Sequence, residues 1–171
     1  MLWWRSYGAG LLLGCLVLVT WRYSTQATEG VVMNFSTQVA EASLVRPSPE
    51  TFSVAEARVG RTAMPAIAAS GASRMAWDLT IPEGAWVEAN VALPADVATT
   101  AGEGVLFRIG ISFDDRYEEV ITHVVTPVSS ADHHQWTPVG ADLSIFAGRR
   151  VSLIFNTAGP GLWGAPRLVV R

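Results

Sequence analysis

The sequence predicts an all-β protein: an antiparallel jelly-roll β-sandwich preceded by one N-terminal transmembrane helix and a short helical connector. Three observations predict it. After Thr51, apolar and polar residues alternate one by one through several short runs, the period of strands with one buried face. Gly, Pro and Asp punctuate those runs with no amphipathic helix between them, which argues hairpins rather than crossovers of a parallel sheet. Between Leu2 and Trp21, by contrast, Arg5 is the only charge.

A chain of 171 residues suits one domain plus extras. Half the residues are apolar and Trp alone occurs 7 times, so a substantial core can form. Charged residues make up 16%, below the roughly 25% of an average soluble domain. The net charge of −3 and the lack of a basic stripe argue against a nucleic-acid partner. Every one of the 12 cationic side chains is Arg. Cys15 is the sole cysteine, which excludes an internal disulfide and a thiolate metal cluster.

Residues 1–23 read as the membrane anchor. The stretch Leu2–Trp21 would span about 30 Å as a helix, one hydrocarbon core, and Trp3, Trp4, Trp21 and Tyr23 bracket it as interfacial aromatics do. Two alternatives stay open: a signal peptide cleaved near Thr25-Gln26-Ala27, and a lipoprotein signal with Leu12–Cys15 as its modification site. The amino terminus with Arg5 slightly outweighs Arg22 followed by Glu29, which favours an extracytoplasmic C-terminal domain on a bacterial inner membrane, single-pass.

Residues 24–50 read as a connector, with a short helix over Asn34–Leu44 that puts Phe35, Val39 and Ala42 on one face and ends at the prolines of Arg46–Glu50. Residues 51–171 read as the sandwich. In RMAWDLTIP, Met75, Trp77, Leu79 and Ile81 share a face; in WVEANVALP, Val87, Ala89, Val91 and Leu93 point inward while Trp86, Glu88 and Asn90 point outward. VLFRIGISF sets Val105, Phe107, Ile109, Ile111 and Phe113 against Arg108, Gly110 and Ser112, and RRVSLIFNT repeats the device with Val151, Leu153 and Phe155.

The segments SRMAWDLTIPEGAWVEANVALP, GEGVLFRIGI, WTPVGADLSIFAGRRVSLIFNT and LWGAPRLVV, in that order, resemble galactose-binding-like jelly rolls, the carbohydrate-binding-module-like accessory domains of bacterial envelope proteins. The stretch Trp136–Phe155 followed by LWG-x-P-R is the most specific part. The resemblance implies a non-catalytic domain that binds carbohydrate or another cell-envelope component weakly; a protein-docking or scaffold domain of an envelope assembly is the alternative. It also allows a structural calcium, for which no residue can be assigned, and implies no other cofactor.

Of the candidate residues, Trp163 is either a platform for a flat ligand or a plug of the core beside Gly161 and Gly164, and its match to LWG-x-P favours the plug; Trp77 reads as core and Trp136 as partly buried at a strand start. Trp86 shares its outward phase with a carboxylate and an amide, which is what a sugar platform needs: one flat face with polar groups for hydroxyls; the alternative is an edge Trp covered by the connector. The expected ligand-binding set is Trp86, Glu88, Asn90 and Arg108, the last joining if its strand pairs with that of Trp86. FDDRYEEV reads as a polar hairpin turn rather than a carboxylate pair or calcium loop. Asp132, His133 and His134 would need distant His123 to hold a metal. No nucleophile elbow, HExxH or phosphate-binding glycine loop is present, which argues against an enzyme.

Overall fold

In a computed structural model, described over residues 30–98, 102–127 and 134–171, two antiparallel sheets face each other across a shared apolar interior. The expected anchor (1–23), with Cys15, and the pair Asp132 and His133 lie outside the described residues. Among those described, no helix is long and apolar enough to cross a membrane. The strands are β1 (Gly30–Asn34), β2 (Leu44–Arg46), β3 (Phe52–Val59), β4 (Thr62–Ala69), β5 (Ser73–Thr80), β6 (Ala85–Ala92), β7 (Val105–Phe113), β8 (Arg116–Val125), β9 (Thr137–Asp142), β10 (Arg150–Thr157) and β11 (Gly161–Val170). The first sheet runs β3-β4-β11-β6-β9, with β1 also pairing β11; the second runs β2-β5-β10-β7-β8.

Alternation decides what meets in the middle. The inward rows of β5, β6, β7 and β10 bring Trp77, Val91, Phe107, Ile109, Leu153 and Phe155 into one cluster. Trp163 is 1% exposed and sits edge-on to Phe155 at 4.9 Å and to Phe107 at 5.1 Å, the tilted geometry that aromatic quadrupoles favour. Gly161 makes room for the neighbouring Phe107 ring, because a Cβ there would stand 2.6 Å from it.

The segment expected as a connector contributes a strand to each sheet, β1 and β2. Its helix is replaced by two separate 3-10 turns, Phe35–Thr37 and Val39–Glu41. Asn34 opens the first by accepting from the Ser36 amide, and the Gln38 carbonyl between them accepts the indole N–H of Trp77 at 2.8 Å. Satisfying a buried indole thus outranks extending a helix. The apolar face is as expected: Phe35 is buried 4.8 Å from the Trp77 ring, with Val39 and Ala42 packed against the core.

Two local devices shape the outer surfaces. At the β7–β8 turn, Asp114 and Asp115 both have positive φ, the conformation of a two-residue hairpin whose twist matches its strands. In β11, Ala165 and Pro166 together oppose the single Ala89 of β6, a bulge between the pairs Gly164–Asn90 and Arg167–Glu88. Pro166 has no N–H to give a ladder, so the break falls where its absence costs least. The extra residue reverses the phase of the strand, turning Arg167 outward and Leu168 inward.

Candidate functional site

β6 presents Trp86, Glu88 and Asn90 on the outer face of the first sheet, alternating with buried Val87, Ala89 and Val91. Arg108 does not join them. β6 pairs with β11 and β9, whereas β7 lies in the second sheet. The link after β6, with its one-turn helix Ala95–Ala98, leads from one sheet to the other, so neighbours in sequence become opposite faces of the sandwich. Arg108 instead binds Glu119 at 2.9 Å, and Thr122 donates to the other oxygen of the same carboxylate. Those two hydrogen bonds, Thr122 first, hold the Glu119 carboxyl below the usual range.

The place expected for Arg108 is filled by two arginines of β11 and its end. Arg167 gives Glu88 a forked contact, Nε at 2.9 Å and Nη2 at 2.8 Å to Oε2, and Arg171 binds Oε1. The Arg171 guanidinium also lies over the Trp86 ring, 4.5 Å from its centroid, a cation–π arrangement. The result is a braced cluster in which one carboxylate and one indole fix two cations. Asn90 adds an amide, whose contact to the Gly164 carbonyl is long at 3.5 Å.

Around this row the sheet is low. Pro138 and Gly140 on β9 and Ala165 on β11 stand beside it, and together they leave a shallow trough of about 450 Å³. At the other end of the row the face is apolar: Trp136 rests on Gly164, where a Cβ would meet its ring at 2.7 Å, and packs with Val59, Ala92 and Leu162. Its indole N–H donates to the Thr62 carbonyl.

Sequence reasoning missed Arg167 and Arg171. Counted in twos from Trp163, Arg167 falls on the inward row; Pro166 inside a strand was the signal that the count would break. The other expected chemistries stay apart. His134, before β9, bonds the carbonyl of Leu93, just after β6, at 2.8 Å, while His123 sits on β8 of the second sheet. Among the described residues no group of three or more His, Cys, Asp or Glu is placed to hold a metal ion.

No family model matches the chain. An uncharacterized protein of Archaeoglobus fulgidus is 32% identical over 102 residues, covering 53% of this chain and 25% of that protein. The chain thus spans a quarter of the length of the curated relative it matches. Among solved structures, the CBM51 of Clostridium perfringens GH95 in complex with methyl-galactose is 15% identical, covers 80% of this chain and 98% of its own, and has a TM-score of 0.52. TmCBM61 in complex with β-1,4-galactotriose is 12% identical, covers 81% and 94%, and has a TM-score of 0.50. Both are carbohydrate-binding modules, and what this chain shares with them is the fold: it has their jelly-roll β-sandwich.

Proposed function

We propose that the chain is a membrane-anchored, extracytoplasmic, non-catalytic module that binds a glycan or another envelope component weakly, on the outer face of its first sheet. The observation that carries this reading is the trough itself, where Trp86, Asn90 and the braced arginines surround a floor of small residues. Planar guanidinium groups already held by Glu88 lose little freedom when they donate to neighbouring hydroxyls, so the binding surface is pre-organised. Weak binding follows from shape: a shallow trough removes only part of a sugar from water.

The same geometry supports a non-catalytic role. Glycoside hydrolysis ordinarily needs two carboxyl groups across the scissile bond, and among the described residues Glu88 is the one carboxylate lining the trough, with two arginines on it. Anchoring and placement outside the cytoplasm rest on the apolar stretch Leu2–Trp21 and its flanking charges.

The test is a titration of the full-length chain, in a detergent without a sugar headgroup, against neutral oligosaccharides that include β-1,4-galactotriose. Trp86→Ala and Asn90→Ala should each weaken binding about tenfold, the size of one good contact. Absence of binding across the panel, or unchanged binding in both variants, would overturn the reading. For the address, a cysteine introduced at exposed Ile145 should react with an impermeant thiol reagent applied from outside the cell; protection from it would place the domain on the cytoplasmic side.

A further inference from the structure

The outer face of the second sheet carries an aromatic of a different kind. Gly110 lies in the middle of β7, on the outward phase between Arg108 and Ser112. A Cβ built on it would stand 2.4 to 2.5 Å from Cε2, Cζ and Oη of Tyr117. Near-equal distances to three successive atoms put that point out of the plane of the phenol, so the hydroxyl end of the ring lies over the backbone of β7 at Gly110. Tyr117, the second residue of β8, pairs with Ser112 and reaches back to Gly110, yet it remains 47% exposed. Its outer end rests over the strand, and about half of the residue stays open to solvent.

The groups around the ring are ordered. Arg74, Asn156, Arg108 and Thr122 form one continuous row across β5, β10, β7 and β8. Asn156, itself buried, accepts from Arg74 Nε at 2.7 Å. Arg108 and Thr122 are tied to Glu119. Two cations thus face one anion beside the ring. Arg74 is fixed through Nε alone among the described residues, which leaves its two terminal amino groups as a fork matched to a carboxylate.

We propose that this face is a second ligand surface, built for a carboxylate-bearing sugar such as a uronic acid residue of an acidic glycan, with its ring on Tyr117 and its carboxylate on Arg74. A pyranose offers an apolar face for the exposed side of the phenol, and the excess positive charge selects the acid over its neutral counterpart. The inference rests on the reading of the domain as a carbohydrate binder but uses none of the residues of the first face.

The experiment titrates the full-length chain with oligogalacturonate and oligoglucuronate, each against its methyl ester, which keeps the sugar and removes the charge. At least one free acid should bind about tenfold or more tighter than its ester, as expected when a charge-assisted hydrogen bond is gained. Tyr117→Ala should abolish this binding, Tyr117→Phe should keep most of it, and Arg74→Gln should bind acid and ester alike. Equal binding of acid and ester by the unsubstituted chain, no binding of either acid, or retention of acid binding in both Tyr117→Ala and Arg74→Gln would overturn the proposal. Binding of neutral galactotriose that is lost in Trp86→Ala but kept in Tyr117→Ala would show that the first face stands even if the second fails; absence of all binding would defeat both.

Discussion

Each outer face sets a half-covered aromatic among arginines, and the difference lies in what touches the ring. On the first sheet, Trp86 carries the Arg171 guanidinium against it, and that cation is shared with Glu88. On the second, the end of the Tyr117 ring lies over the side-chain-free backbone of Gly110, and about half of the residue is open to solvent. A stacked cation occupies an aromatic surface and turns it into a scaffold for hydrogen-bond donors; a missing side chain underneath turns the ring into a platform. The first face is therefore suited to hydroxyls and the second to stacking with a charge alongside.

The largest effect separates both faces from the interior they share. Trp163 touches Phe107 and Phe155 and is fully buried, so Trp163→Ala should cost about 3–5 kcal/mol of folding stability, as truncation of a core aromatic does. Trp86→Ala, which removes a cation–π contact at a half-exposed site, should cost about 1 kcal/mol or less. Denaturant unfolding of both variants measures the contrast. Equal costs would mean that Trp86 is a packing residue, and the first face would lose its claim to be a binding surface.

An intermediate effect is expected at Gly110. Gly110→Ala puts a methyl group where the Tyr117 ring lies, and because the obstructed atoms are the far end of a mobile side chain, the ring lifts rather than the strand. Stability should change by no more than about 1 kcal/mol, while affinity for an acidic oligosaccharide falls about tenfold. The phenol reports the movement directly. Burial, and then the charge of Glu119, raise its pKa above the usual phenol value, so lifting the ring should move its alkaline titration back down. A titration unchanged by the substitution would show that the ring never lay on the glycine.

What was legible in the sequence follows the same division. Alternation alone assigns Trp77, Phe107 and Leu153 to the interior, because an inward row needs no knowledge of its neighbours, whereas Trp163 is placed there by its LWG-x-P context. Outward residues depend on which strands pair, and that is a non-local choice: the outward phase of Arg108 was readable, but its separation from Trp86 was not. The phase of Arg167 depended on a one-residue bulge, and the contribution of residues 30–46 to both sheets depended on strands of five and three residues. Gly110 and Tyr117 carried no motif; their relation exists only once β7 and β8 pair in one register.

The smallest effect distinguishes the two faces by acid. Thr122 and Arg108 hold the Glu119 carboxyl below its ordinary value, so the native state favours the ionised form more than the unfolded chain does. For a depressed carboxyl, that contribution is complete above the unfolded-state pKa and is lost as pH falls through the folded-state one. Thr122→Val removes the first of the two hydrogen bonds, so the Glu119 pKa should rise toward the ordinary carboxylate range, seen by NMR titration of its side chain. The stability difference between Thr122→Val and the unsubstituted chain should be largest near neutral pH and shrink once Glu119 is protonated in both. A difference that stayed constant down the acid limb would assign Thr122 to packing alone, and the row from Arg74 to Thr122 would lose the ordered anion that keeps Arg108 in place beside the Tyr117 ring.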